Sequence, residues 1–98
     1  MKSLQNFLDG DGRLVRFPAK KGMQQEALAY LAGKFQPGVV YTEREVNQLL
    51  NQWHTFGDPA TLRRELYDNR FLDRDPYGTA YCLADRPGWE GTSNAQEG

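Results

Sequence analysis

The sequence predicts an α+β domain in which three helices pack with a small antiparallel sheet. Three stretches carry apolar residues at the three- and four-residue spacing of a helix with one buried face. Short runs of β-branched and aromatic residues lie between and after these stretches, as expected for small strands. The chain has 98 residues, 39% hydrophobic and 26% charged, which is the size and composition of one folded domain.

Residues 1–12 are predicted to form a short helix and a turn. Residues 3–8 have room for one or two helical turns, and the DGDG run at 9–12 favours a reversal of the chain, because glycine accepts positive φ and aspartate bonds its own backbone. The run also resembles the start of a calcium loop, but Lys20 stands where that loop needs glutamate, so a turn is the better interpretation. Residues 13–17, between a glycine and a proline, have the pattern of a brief edge strand.

The first core helix is predicted over residues 19–35. Its apolar residues recur at spacings of three and four, and they are Met23, Ala27, Leu28, Leu31 and Phe35. The QPG run at 36–38 ends this helix, since proline cannot continue it and glycine tolerates a left-handed exit. Residues 39–41 are β-branched and aromatic, and they are predicted to form a small strand.

The second helix, about residues 43–53, has the clearest local signal in the chain. Thr42 and Glu45 have the spacing of a capping box, in which hydroxyl and carboxylate each accept a free backbone N–H. The apolar residues fall at i, i+3, i+4 and i+7, which places all four on one face; they are Val46, Leu49, Leu50 and Trp53.

A third helix and a hairpin complete the predicted domain. Asp58 as N-cap and Pro59 at the first helical position open the helix, which is expected to reach about Asn69 with Leu62 and Leu66 facing inward. Two short strands, 72–74 and 79–83, flank a four-residue loop in the pattern of a hairpin. Residues 85–98 are polar, rich in glycine and without periodicity, so a disordered tail is expected.

This order of elements over residues 13–84 is that of a winged helix-turn-helix domain. The second and third helices form the helix-turn-helix unit, with the third as recognition helix, and the hairpin is the wing. The wing carries Arg74 between Asp73 and Asp75, and these two acidic neighbours are expected to weaken its binding to phosphate.

Three separated segments also resemble a small bacterial domain family of unknown function. They are FLDGDGRLVRFPAKK, YTEREVNQLL and DPATLRRELYDNRFLDRD, and the resemblance covers about residues 7–83. Members of this family occur alone or fused behind a winged helix like that of the arsenic repressor, so the resemblance implies a link to transcription regulation but no activity or ligand. Similar sequences usually carry glycine where Arg70 stands, and Asn69 is therefore expected to take the left-handed conformation at the helix end.

The candidate nucleic-acid-binding residues lie on and just after the third helix. They are Arg63, Arg64, Tyr67 and Arg70. Arginine contacts phosphates and is the commonest reader of guanine in the major groove. Glu65 and Asp68 lie among them, and Arg64 with Asp68 has the i,i+4 spacing of a surface ion pair, so a solvated helix face is the competing interpretation.

A second basic group surrounds the start of the first helix. It comprises Arg13, Arg16, Lys20 and Lys21, with no acidic residue between positions 12 and 25. We interpret it as a supporting patch for anions. Charges that keep a strand edge solvated explain it equally well.

Other classes of function have little support in the sequence. The single histidine, His54, and the single cysteine, Cys82, have no second soft ligand near them, so no metal site is expected; His54 is expected to cap the end of the second helix. We expect no enzyme and no cofactor, because the chain has no phosphate-binding glycine loop and no nucleophile with a plausible base. No apolar stretch approaches the roughly 20 residues of a membrane span and no secretory signal is evident, which favours the cytoplasm.

The leading functional hypothesis is a DNA-associated transcription-regulatory domain that binds double-stranded DNA through its third helix. The alternative is a protein-interaction or homodimerisation module on the same scaffold. A net charge of −1 favours the alternative, because isolated nucleic-acid-binding domains usually have a basic excess.

Overall fold

A computed structural model describes residues 4–77 and 79–84 of the chain. A single 3₁₀ turn, Leu4–Phe7, precedes the helices. The helices are α1 (Lys21–Ala32), α2 (Glu43–Gln52) and α3 (Pro59–Asp68), and the strands are β1 (Tyr41–Thr42), β2 (Leu72–Arg74) and β3 (Ala80–Leu83). The predicted α+β architecture of three helices and a small antiparallel sheet is confirmed; the predicted tail, 85–98, lies outside the described residues.

The three strands form one antiparallel sheet in the order β1-β3-β2. Tyr41 lies opposite Tyr81, and Leu72 lies opposite Leu83. The hairpin is as predicted, except that its second strand begins one residue later: the backbone N–H of Thr79 donates to the carboxylate of Asp75 at 2.7 Å, which keeps this residue in the loop.

The core lies where the three helices meet the sheet. Its buried apolar residues are Phe7, Leu14, Ala27, Leu28, Leu31, Ala32, Phe35, Val46, Leu50, Leu62, Leu66, Phe71, Leu72 and Tyr81. The predicted inward residues of α2 and α3 are buried or packed against this core, and the capping box at Thr42 and Glu45 is present with both of its hydrogen bonds. The local signals of the sequence therefore position α2 and α3 correctly.

The predicted strand at 13–17 is wrong. Only Leu14 pairs, through single bridges to Leu8 and to His54, and its N–H donates to the carbonyl of Trp53 at 2.8 Å. The segment passes between the chain at Leu8 and the chain at His54, and only one of its residues pairs with each. No continuous ladder of strand hydrogen bonds forms. It fixes the fully buried Leu14 between the first turn and the end of α2.

The first helix and the first strand are both shorter than predicted. The side-chain amide of Gln24 donates to the carbonyls of Pro18 and Ala19, which holds the chain in a bend before the helix begins at Lys21. At the other end, Lys34 and Phe35 continue as turns after the helix, although Phe35 remains buried as its periodicity predicted. Strand β1 begins only at Tyr41, because the preceding turn includes Gly38 at φ 80°.

The exit of α3 also differs from the prediction. Arg70, and not Asn69, adopts the left-handed conformation, with φ 67° against −96° for Asn69. The N–H of Phe71 donates to the carbonyl of Leu66, and that of Arg70 to Tyr67, which is the hydrogen-bond pattern of a Schellman motif. The motif requires left-handed backbone at position 70, whatever residue stands there.

His54 closes the connection between α2 and α3. Its Nε2 atom accepts the backbone N–H of Asp58 at 2.8 Å, so the ring hydrogen is on Nδ1, 2.7 Å from the carbonyl of Leu50. The ring is buried, with 3% of the residue exposed. His54 caps the end of α2 as predicted, and it also ties the start of α3 to that end.

Candidate nucleic-acid interface

An open cleft of about 470 Å³ separates the outer side of α3 from the β2–β3 hairpin. It is lined by Ala60, Thr61, Arg63, Arg64, Tyr67, Asp68, Arg74 and Tyr81. Three of the predicted contact residues therefore lie together, and the hairpin adds a third arginine. We call this surface the α3–hairpin cleft.

Arg63 is held by intramolecular contacts. Its guanidinium donates to the side-chain carbonyl of Asn47 and lies 3.2 Å from the carboxylate of Glu43, both on α2. It also lies 5.9 Å from the centre of the Tyr81 ring, and only 17% of its side chain is exposed. Arg63 thus joins α2, α3 and β3, and little of its charge remains for an external partner.

Arg64, one residue further on, points into solvent. Its side chain is 79% exposed, and among the described residues the one carboxylate at ion-pair distance is that of Asp68 at 3.9 Å, the predicted i,i+4 pair. An exposed pair at this distance contributes little to stability and exchanges readily with water or another anion. Arg64 is therefore an accessible cation on the rim of the cleft.

Arg74 is the functional candidate that sequence reasoning undervalued. Its guanidinium lies 4.2 Å from the centre of the Tyr67 ring. Hydrogen bonding with Tyr81 first and with Tyr67 second raises the pKa of Arg74, so the guanidinium stays positively charged. The contact with the Tyr67 ring joins Arg74 of the hairpin to α3, in the same cleft that Arg64 lines.

The acidic neighbours of Arg74 in the sequence do not lie against it in the structure. Side chains alternate along a strand, so Arg74 shares a face with the buried Leu72 while Asp73 faces the other way. Asp75 accepts hydrogen bonds from Thr79. The alternation of side chains along a strand is the sequence signal that predicts this separation of Arg74 from Asp73.

Arg70 lies beyond the helix end, near the start of α1. The neighbouring Asn69 accepts a hydrogen bond from the side chain of Gln25 at 2.7 Å, and Lys21 stands one helical turn before Gln25. Arg70, Lys20 and Lys21 are all exposed. The structure therefore packs the end of α3 against the first half of α1, whose first residue is the exposed Lys21.

Arg13 carries a compensated charge. Its guanidinium lies 3.2 Å from the carboxylate of Asp9 and 3.4 Å from that of Asp11. The backbone N–H of Arg13 is the largest cause that lowers the pKa of Asp9, with a smaller contribution from the N–H of Asp11, so the partner is held in its ionised form. These partners precede the acid-free stretch of sequence, and for that reason the prediction counted Arg13 as free.

Arg16 lies with its guanidinium 4.6 Å from the centre of the Phe7 ring. Within the part of the chain that the structure describes, no carboxylate lies at ion-pair distance from Arg16, Lys20 or Lys21. Of the predicted basic group, these three residues retain uncompensated charge.

Within residues 4–77 and 79–84, no group of three or more histidine, cysteine, aspartate or glutamate side chains lies close enough together to hold a metal ion. Over the same residues, none of the helices has the length and apolar character needed to cross a membrane. Cys82 is half-buried in β3.

The fold and the cleft together define a small α+β domain with a cationic, tyrosine-lined groove between a helix and a hairpin. The chain belongs to the family described as an uncharacterized protein conserved in bacteria (DUF2087), whose model matches residues 13–83. No curated protein and no solved structure matches the chain.

Proposed function

We propose that this domain is a DNA-associated regulatory module of winged-helix type, which contacts double-stranded DNA with α3 and the β2–β3 hairpin. The observation that carries the proposal is the pair Arg64 and Arg74, which line one open cleft with Tyr67, the ring that the guanidinium of Arg74 contacts. Guanidinium groups and tyrosine hydroxyls are the donors that bind phosphate oxygens in protein–DNA complexes.

The topology supports the winged-helix interpretation. Three helices are followed by a hairpin, and the strand before α2 pairs with the second strand of that hairpin. In a winged helix the second helix of the helix-turn-helix enters the major groove while the wing touches the backbone. In this interpretation Arg64 belongs to the helix that enters the groove and Arg74 belongs to the wing.

The contact set of this proposal is narrower than the one predicted from the sequence. Arg64, Tyr67 and Arg74 form the central contact, and Arg70 with Lys21 extends it beside the helix end. Arg63 supports the surface by fixing α3 against α2, and Arg16 and Lys20 add long-range attraction for a polyanion. Arg13 contributes least, because Asp9 and Asp11 offset its charge.

A specific observation favours the second candidate function, a protein-interaction module. Val40 is 66% exposed and Val39 is 36% exposed, and with Leu49 they line a shallow groove of about 310 Å³ beside β1. Exposed apolar surface at a sheet edge is a common place for protein contacts. This groove shares no lining residue with the α3–hairpin cleft. Mutations in the groove and mutations in the cleft therefore test the two candidate functions separately.

Fluorescence-anisotropy titrations of a mixed-sequence duplex at several salt concentrations test the proposal. Each phosphate contact contributes about 0.9 to the slope of log K against log salt. Arg64→Ala and Arg74→Ala are each expected to reduce the slope by about that amount. Arg44→Ala, which removes the same charge from the exposed face of α2, serves as the matched control and should leave it unchanged.

Two results would overturn the proposal. One is the absence of salt-sensitive binding at low ionic strength by the folded wild-type domain. The other is an equal loss of affinity in the Arg44, Arg64 and Arg74 variants, which would mean that net charge and not the cleft determines binding. Circular dichroism of each variant establishes that it is folded.

A further inference from the structure

A second cleft, of about 530 Å³, lies beside the start of α1 and shares no lining residue with the α3–hairpin cleft. It is lined by Phe7, Arg16, Pro18, Ala19, Lys20, Gly22, Met23 and Glu26. Half of these residues are apolar. This combination of volume and lining is typical of small-molecule sites, which range from about 300 to 1,000 Å³ and carry few polar groups on an apolar wall.

The walls of this cleft are fixed before any ligand arrives. Phe7 belongs to the core, and Pro18 is fully buried. The side chain of Gln24 bonds the carbonyls of Pro18 and Ala19, at 2.9 and 3.3 Å, so the loop is tied to the helix. A preformed cleft binds without the entropic cost of ordering its own walls.

Gly22 lines the cleft at a position that has room for a side chain. A Cβ atom built on this residue meets no other atom within 4 Å. Glycine in a helix costs roughly 1 kcal/mol relative to alanine, yet nothing in the packing at this position requires the absence of a side chain.

The charges of the cleft favour a monoanion. Arg16 and Lys20 have no carboxylate at ion-pair distance among the described residues, and the guanidinium of Arg16 is held over the Phe7 ring. Glu26 is the only acid in the lining. Two cations against one carboxylate leave a single positive charge, which one carboxylate of a ligand neutralises.

We propose that this cleft binds a small monocarboxylic acid with an apolar body. The body lies against the apolar lining residues that remain accessible, Ala19 and Met23, and the carboxylate is bound by Arg16 and Lys20. None of these residues lines the α3–hairpin cleft, and the acid is tested without DNA, so the inference stands apart from the long-range attraction that Arg16 and Lys20 are proposed to add for DNA.

An NMR titration of the ¹⁵N-labelled protein with 4-phenylbutyrate tests the proposal, with 4-phenylbutan-1-ol as the uncharged comparison. The acid is expected to shift the amides of residues 16–26 saturably and to bind at least about tenfold more tightly than the alcohol, because the charged hydrogen bonds are lost with the carboxylate. Absence of saturable shifts, equal affinity for acid and alcohol, or shifts located elsewhere would each refute it.

Two pairs of variants locate the site. Gly22→Leu fills the space beside Gly22 and should abolish binding, while Gly22→Ala, which also improves the helix, should retain it. Arg16→Gln should weaken binding of the acid about tenfold without affecting the alcohol. Arg44→Gln removes an exposed charge on α2, outside the lining, and should change neither; an equal effect of the Arg16 and Arg44 variants contradicts a specific carboxylate contact.

Discussion

Arg63 and Arg64 are adjacent in the chain, but their side chains have different surroundings. Successive residues on an α-helix are about 100° apart, so one of the two faces α2 and β3 while the other faces solvent. Arg63 is bound by Glu43 and Asn47, whereas Arg64 has only a long contact to Asp68. The first supports the surface and the second is available to a ligand.

Stability measurements separate these two arginines. Arg63→Ala should lower the free energy of unfolding by about 1–2 kcal/mol, because it removes charge-assisted hydrogen bonds from a mostly buried side chain. Arg64→Ala should change it by no more than about 0.5 kcal/mol. Urea unfolding at neutral pH measures both values, and equal losses in the two variants would contradict these assignments.

The left-handed backbone of Arg70 predicts a stabilising substitution. A non-glycine residue in this conformation destabilises the folded protein by about 1–2 kcal/mol. Glycine relieves this strain, but it also gives the unfolded chain more conformational freedom, which offsets part of the gain. Arg70→Gly should therefore stabilise the domain by about 0.5–1 kcal/mol in thermal or urea unfolding. Asn69→Gly is the control, and it should destabilise, because Asn69 bonds Glu65 and Gln25. A loss of stability in Arg70→Gly would be the contrary result.

At the scale of elements, His54 determines how α2 meets α3. Both ring nitrogens are hydrogen-bonded, one to the end of α2 and the other to the N-cap residue of α3. Leu14 also bonds the backbone of Trp53 and Thr55 on either side of it. The connection between the two helices is therefore a packed, hydrogen-bonded unit and not a free loop.

Removal of this ring should be costly. His54→Ala leaves the N–H of Asp58 without its buried acceptor and opens a cavity, and we expect a loss of about 2–4 kcal/mol in unfolding free energy. Thr55→Ala alters an exposed neighbouring side chain and is expected to have little effect. Similar stability of the His54 and Thr55 variants would show that the ring does not hold the helices together.

The turn at residues 9–13 predicts a pH dependence. Because the pKa of Asp9 is lowered in the folded protein, its contribution to stability is present above the ordinary value of 3.8 and is lost as the pH falls through the lower folded value. The stability difference between wild type and Asp9→Asn should therefore shrink as the pH is lowered from 6 towards 2. Urea midpoints across this range measure it, and a constant difference would contradict the role of the ionised carboxylate.

At the scale of the whole molecule, the sequence predicts the helices whose ends depend on contacts between residues close together in the chain. The capping box at Thr42 and the Asp58-Pro59 start fix α2 and α3 through contacts within a few residues. The pairing of Leu14 with His54 joins segments 40 positions apart, and no local pattern encodes it. For this reason the segment at 13–17 was predicted as a strand.

For the candidate site too, the sequence predicts what local spacing determines and misses the contacts between different elements. Helical spacing placed Arg64 and Tyr67 on an accessible side of α3, but the partners of Arg63 are on another helix. The contact between Arg74 and Tyr67 required the register of the hairpin against α3. Charge counted along the sequence therefore overestimated Arg63 and Arg13 and underestimated Arg74.

The central claim concerns the α3–hairpin cleft, and an NMR titration of the ¹⁵N-labelled domain with a mixed-sequence duplex tests it most directly. The account predicts saturable, salt-sensitive shifts of the amides of residues 60–68 and 74–81 and of the Nε–Hε groups of Arg64 and Arg74. Absence of shifts at low salt would contradict it, as would shifts confined to the groove of Val39, Val40 and Leu49.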